Sequence, residues 1–329
     1  MKANILKDLG DSLAALSTIL AISVCVSYCA NFFWLADIFS HFLLQYIIGS
    51  VVLGGLGLAL KNYRYVVLNI AILCLCLGEM SFTIDRKVEQ NTALNPEISI
   101  VQFNKLVSNT NYLEIKTWIM KQDQPFDFIV FQEADNGLLE LSNDLKNIYP
   151  YQIREPRNHA FGTIILSRYD FLDTEKIDIQ GQEFKNFATK VIIHPLNFKN
   201  TLSIFSLHAV PPTSHEFWTQ RNYELKTVTE NIGDTEKKNT IFIGDWNITP
   251  YSPFFKKVLY GTNLNMAKRS YVYEPTWPST FKTPLFPIFQ IPIDHILFSD
   301  TLIPLYKEIG ESFGSDHHPV IMKFIEKKN

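Results

Sequence analysis

The sequence predicts an α+β sandwich, two β-sheets packed face to face with helices outside, preceded by two to three transmembrane helices. Three observations lead there. The first 84 residues contain long charge-free apolar stretches. The remainder alternates short β-rich apolar runs with longer helical patterns. Short acids, amides and imidazoles recur at the ends of those runs.

The N-terminal region comes first. No charged residue lies between Ser12 and Ala36, and none between Ile38 and Leu60. A helix needs about 20 predominantly apolar residues to cross a bilayer core, so both stretches qualify. A third run from Tyr65 weakens towards Ile84, where Asn69 and Glu79 interrupt it. The expected spans are therefore 12–32, 38–60 and 65–84, together a transmembrane anchor over residues 1–84. A cleaved signal peptide would explain only the first stretch, and no clean small-residue cleavage site precedes Asn31. With three spans, Lys2, Lys7, Lys61 and Arg64 fall on one side against Arg86 and Lys87 on the other. That balance predicts a cytoplasmic N-terminus and an extracytoplasmic C-terminal domain; if the third segment does not cross, the domain lies in the cytoplasm instead. All four cysteines (Cys25, Cys29, Cys74, Cys76) lie in the apolar region, leaving the rest of the chain without a disulfide or a thiol nucleophile.

Residues 85–95 are polar and read as a linker, with the second domain over 96–329. Strands are expected at Ile98–Phe103, Phe126–Phe131, Gly162–Ser167, Ala188–Ile193, Leu202–Leu207, Thr240–Ile243, Ile293–Phe298 and Pro319–Phe324. Helices are expected at Tyr112–Gln122, Gly137–Ile148 and His215–Ile232. From Asp85 onward there are 26 Lys and Arg against 29 Asp and Glu, so a strongly basic nucleic-acid-binding face is not indicated.

The first strand ends in Asn104 and the second in Gln132 and Glu133. Carboxylate and amide oxygens are the ligands a hard cation such as Mg²⁺ takes. Glu133 either binds such a cation or caps the following helix. Leu202–Leu207 delivers His208 just before Pro211 and Pro212, which end the strand and stiffen its exit. Thr240–Ile243 leads into Gly244, Asp245, Trp246 and Asn247. There Asp245 can orient or deprotonate a water and Asn247 can donate to a phosphate oxygen, though the tripeptide also reads as a plain turn. Asp294 lies inside the apolar strand Ile293–Phe298, and His317 is its natural partner, because an Asp–His pair fixes the tautomer and favours the imidazolium. Asp316 stands beside it to complete a cation's ligands.

Seven blocks in this order resemble the endonuclease/exonuclease/phosphatase superfamily, the deoxyribonuclease I-like fold, and in layout its bacterial membrane-anchored members. They are Gln102 to Asn104, Phe131 to Glu133, Gly162 to Arg168, His208 before Pro211-Pro212, Gly244 to Asn247, Ile293 to His295, and Ser315 to Pro319. The resemblance spans roughly residues 96–325. It implies a four-layer α/β/β/α sandwich with a site at one edge of the paired sheets. It also implies Mg²⁺ or Mn²⁺ among Asn104, Glu133 and Asp316. By the same likeness Asp245 acts on the water, His208 and Asn247 hold phosphoryl oxygens, and Asp294 orients His317. The implied activity is metal-dependent hydrolysis of a phosphodiester, nucleic acid or phospholipid headgroup, at a bacterial inner membrane reached through the N-terminal helices. A non-catalytic phospho-ligand-binding or scaffold protein of the same fold is the alternative. Trp246 stands where that family usually has Phe, and Thr276-Trp277-Pro278 is similar to an element of the bacterial members. Trp277 is expected to pack its loop, and Arg221 to be a solvated or structural cation.

Overall fold

The computed structural model describes residues 2–82, 86–88, 97–180, 185–233, 239–268, 273–279 and 286–327. The chain divides into two compact units, Met1–Ile84 with Thr249–Lys256, and Asp85–Ile248 with Lys257–Asn329.

The first unit contains helices α1 (Lys2–Ser27), α2 (Trp34–Ser40), α3 (Leu43–Ala59) and α4 (Tyr63–Phe82). Two segments, Ile5–Ser27 and Tyr63–Met80, are long and apolar enough to cross a membrane. The continuous span expected over 38–60 is instead a pair of helices, α2 and α3, bent by 64°. The cause is local polarity. Ser40 Oγ donates to the Asp37 carbonyl at 2.6 Å, Ser252 Oγ donates to the Asp37 carboxylate, and His41 Nδ1 lies 3.0 Å from Thr249 Oγ1. Side chains that bond to backbone and to one another in this way compete with the helical ladder and break it. α3 and α4 approach closely through glycine: a Cβ on Gly57 would stand 3.1 Å from Val66, and one on Gly54 3.6 Å from Asn69.

The second unit is the sandwich. Its elements run β1 (Arg86–Lys87), β2 (Ile98–Asn104), α5 (Tyr112–Met120), β3 (Phe128–Gln132), α6 (Asn136–Asp144), β4 (Tyr151–Glu155) and β5 (Thr163–Ser167). They continue with β6 (Asp173–Gln180), β7 (Lys185–Ile193), β8 (Leu202–Leu207), α7 (His215–Asn231), β9 (Thr240–Asp245) and α8 (Pro253–Thr262), which starts in the first unit. The last are β10 (Asn265–Lys268), β11 (Asp294–Phe298), β12 (Leu302–Ile309) and β13 (Val320–Glu326). One sheet has the order β1-β10-β11-β9-β8-β7-β6 and the other β12-β13-β2-β3-β5-β4. The predicted linker lies largely outside the described residues, but β1 falls within it and pairs in parallel with β10.

All eight predicted strands and all three predicted helices are present. The strands not foreseen are β1, β4, β6, β10 and β12, and four of them are sheet edges. An edge strand is half-solvated and carries charge, as Asp173-Thr-Glu-Lys in β6 does, so its apolar alternation is weak.

Period-two alternation explains the layering. In β2 and β3, Ile98, Ile100, Phe128 and Val130 face the opposite sheet, and with Val191, Ile204, Ile243 and Ile296 they form the core between the sheets. Val101, Phe103, Ile129 and Phe131 face the other way and pack with Ile115 and Ile119 of α5 and Leu138 and Leu141 of α6. Burial of each such side chain contributes about 1.5–3 kcal/mol. Continued along the inward face, the same alternation replaces isoleucine and valine with Gln102, Asn104 and Gln132. The core therefore turns polar at one rim, and the site lies there.

Candidate active site

The register brings the rim together. β9 and β11 pair antiparallel with Asp245 opposite Asp294, while β2 and β3 pair in parallel with Asn104 beside Gln132. Two carboxylates facing each other across a strand pair repel, and here both are buried, Asp245 at 1% and Asp294 at 4% exposure. His317 resolves the conflict. Its Nδ1 lies 2.9 Å from Asp294 Oδ2 and its Nε2 3.6 Å from Asp245 Oδ2.

Burial disfavours a charge on His317, but the adjoining Asp294 and Asp245 carboxylates outweigh it and lift the imidazole to about 10. Asp294 is held below the ordinary carboxylate range, because the His317 charge overcomes its burial. Asp245 moves the opposite way, up to about 6, through burial first and then through Asp294. Asp245, Asp294 and His317 offer ligand atoms within 4.8 Å of one another, which is also a metal-like grouping. We read it as an imidazolium between two carboxylates, since Nδ1 is already engaged by Asp294.

Asp245 Oδ2 is the meeting point. Asn104 Nδ2 donates to it at 3.0 Å, and His208 Nε2 and His317 Nε2 stand 3.5 and 3.6 Å away. His208 Nδ1 donates to the Ala160 carbonyl at 2.9 Å, which turns Nε2 towards Asp245. Gly244 permits this closeness: at φ +152° it lies where side chains are strained, and a Cβ there would stand 1.8 Å from the Leu207 carbonyl oxygen. Asn247, at φ +52°, closes the turn by donating from Nδ2 to the Ala209 carbonyl, while its backbone N–H donates to Asp245 Oδ1. One amide N–H of Asn247 is thus committed to the turn.

Glu133 does not cap the next helix; Asp135 does, accepting from the Leu138 N–H at 3.0 Å. Glu133 sits at φ +55°, a strained conformation for a residue with a side chain. Its Oε1 accepts from Asn104 Nδ2 at 3.1 Å and its Oε2 from the Val107 N–H at 2.8 Å. Beneath that loop the buried Lys105 Nζ meets Asp135 at 3.0 Å and donates to two carbonyls, of Val107 and Asn109. Asp316 Oδ2 accepts from Trp277 Nε1 at 3.0 Å, whereas its Oδ1 is buried with no hydrogen-bond partner. A buried carboxylate oxygen without a donor is what a cation ligand looks like before the cation is counted. Together with the half-buried Glu133 and the amide oxygen of Asn104, the donor set is all oxygen and suits a hard divalent ion. The observed contacts link Asn104 to Glu133, and Ser315 Oγ to the Asn104 carbonyl at 2.7 Å brings the 315–317 segment to the same rim.

Several participants were not foreseen. Trp277 does more than pack a loop: it donates to Asp316, and its ring centroid lies 6.5 Å from that of His317. Thr276 Oγ1 accepts from the backbone N–H of Ile293 and Asp294. Gln102 and Gln132 join the two sheets, and the signal for them was a polar residue at an inward strand position. Arg221 is not solvated; it is fully buried and donates to the Asn247 carbonyl at 3.0 Å. Trp246 is also fully buried, against Phe242 and His295, in keeping with its expected tolerance.

Two packed sheets flanked by helices, with acids, amides and imidazoles at one rim, define a deoxyribonuclease I-like α/β sandwich. The chain belongs to the endonuclease/exonuclease/phosphatase family, whose model matches residues 94–317. Solved structures share the fold at low identity. The human Nocturnin catalytic domain with bound sulfate is 18% identical, with 70% of this chain and 94% of that one covered and a TM-score of 0.56. TDP2 of D. rerio with a single-strand DNA product is 14% identical, covering 69% and 98%, at 0.55. Sphingomyelinase C of Streptomyces griseocarneus is 16% identical, covering 69% and 98%, at 0.50. No curated protein matches the chain significantly by sequence.

Proposed function

We propose that this protein is a divalent-metal-dependent phosphoesterase that hydrolyses a phosphodiester by in-line attack of water on phosphorus, held at a membrane by its N-terminal helices. The observation that carries it is the convergence of Asn104, His208 and His317 on the single oxygen Asp245 Oδ2. A carboxylate lifted towards neutrality by burial is matched to take a proton from water at working pH. His317, kept charged by Asp294, supplies an N–H group to the non-bridging oxygens, as does His208 in its protonated form, and Asn247 supplies an amide N–H. Asn104, Glu133 and Asp316 would hold Mg²⁺ or Mn²⁺, which neutralises phosphoryl charge and orients the substrate when bound.

Structural relatives with bound sulfate, a DNA product and sphingomyelinase C activity in their descriptions are compatible with nucleic-acid and phospholipid substrates alike. The net charge of −3 and the apolar helices favour a phospholipid headgroup or small phosphoester. A screen of the full chain in detergent, with and without magnesium, against plasmid DNA, RNA, phospholipids and inositol phosphates tests this. Metal-dependent release from one class is expected; no turnover of any class would overturn the reading. We place the anchor in a bacterial inner membrane, with α1, the α2–α3 pair and α4 as three crossings and the sandwich extracytoplasmic. Labelling of a cysteine introduced into the sandwich by an impermeant reagent in intact cells checks that side.

A further inference from the structure

We propose that Gln102 is a positioning residue, which acts through Asp294 to fix the working arrangement of His317; the catalytic part of this rests on the function proposed above. The geometry is a relay between the sheets. Gln132, on β3, donates from Nε2 to the Leu207 carbonyl at 2.8 Å and accepts at Oε1 from the Asp245 backbone N–H, also at 2.8 Å. A carbonyl can only accept and a backbone N–H can only donate, so the Gln132 amide has one orientation. Gln132 Oε1 therefore requires a donor from Gln102, which gives Nε2 at 3.0 Å. The second N–H on that nitrogen reaches Asp294 Oδ1 at 2.7 Å. Asp294 Oδ1 is thereby engaged by Gln102 and Oδ2 meets His317 Nδ1, with Thr276 also hydrogen-bonded to the carboxylate. Backbone groups of β8 and β9 thus dictate, through two glutamines, how Asp294 meets His317.

The cost of the arrangement marks its purpose. Gln102 is fully buried, and its own Oε1 has no hydrogen-bond partner. A buried amide oxygen left unpaired is destabilising, a cost that a methionine of similar volume would avoid. The side chain is retained for its two donors, and both point at the Asp245–Asp294 rim.

The test uses the full chain in detergent with bis(p-nitrophenyl) phosphate and magnesium, comparing Q102M, D294A, the double variant and D245N. Q102M should lower kcat roughly 10- to 100-fold, the loss typical when a residue supporting an active-site side chain is removed, with KM little changed. In the D294A background Q102M should have at most a twofold further effect. The same four-way cycle is measured by urea unfolding, where the Q102M and D294A shifts should be clearly non-additive. Unaltered kcat in Q102M, or effects that multiply in the double variant, would overturn the proposal. If Q102M does not fold, the isosteric Q102E, which replaces the donor with an acceptor, takes its place with the same expectations. Absence of any hydrolysis that D245N removes would instead sink the proposed function. The unfolding cycle then decides the relay alone, and additive shifts would refute it.

Discussion

The two sheets meet at one rim but contribute differently to it. The seven-stranded sheet supplies Asp245, Asp294 and His208, all buried, and Asp245 and Asp294 are joined to His317 in a continuous chain of ionic contacts. On the other side Glu133 and Asp316 are half-exposed, and Asp316 keeps an unengaged carboxylate oxygen. In the first group two carboxylates share the one His317 imidazolium and every side chain is tied to another, so its geometry is set before anything binds. In the second Asp316 keeps an oxygen without a donor, which is where the proposed cation would bind. Interlocked and open carboxylates are thus divided between the sheets, and each group should fail in its own way.

The largest effect should come from the interlocked group. D245A or H317A should lower turnover by on the order of 10²–10⁴-fold, the usual worth of acid–base catalysis, with no recovery at high magnesium. Initial rates across a magnesium series decide this; recovery would place Asp245 with the cation ligands. The same dry region should leave a mark on stability. His295 donates from Nε2 to the Ile248 carbonyl at 2.7 Å, and burial pushes it down to about 4. Between about 4 and the unfolded value near 6.5 the unfolded chain binds the extra proton, so lowering the pH across that window costs stability, by roughly 3 kcal/mol in all. Urea midpoints from pH 7 to pH 4 should show a slope that H295N flattens.

The open group should respond to metal instead. E133Q should raise the half-saturating magnesium roughly 10- to 100-fold while the rate at saturation largely returns. A saturating rate as low as that of D245A would erase the distinction between the groups. The smallest change is expected from W277F, which removes one donor from Asp316 and keeps the aromatic packing. About 1 kcal/mol, or a roughly fivefold higher magnesium requirement, is the expected loss, read from the same series.

The contrast also accounts for what the sequence reveals. Central strands such as Phe128–Gln132 are buried on both faces and spell themselves out as apolar runs, and the chemistry at their ends stands out against that background. Edge strands such as Tyr151–Glu155 carry no such run. Asp294, His317 and Asp245 were legible because a charge in an apolar stretch demands a partner. Gln102 is less legible, since a neutral amide makes no such demand until the sheets are docked. Whether the Trp277 indole packs or donates, and which of the two expected roles Arg221 takes, solvated or structural, depends for a related reason on segments far away in the chain. The break at His41 depends likewise on Thr249 and Ser252, more than 200 residues on.

The contacts that close the rim have a bearing on how the protein comes to exist. Gln102 reaches Asp294 across 192 positions, and Ser315 reaches Asn104 across 211. Loops of that size close late, because their entropy must be overcome before the contacts form. Neither half of the chain contains the whole site: Asn104 and Glu133 lie in the first, and His208, Asp245, Asn247, Asp294, Asp316 and His317 in the second, so a nascent or truncated sandwich holds it only in part. Hydrolytic competence would then appear only when the last strand is in place, which makes activity a report on completed folding, and two complementary fragments should stay inert until they reassemble.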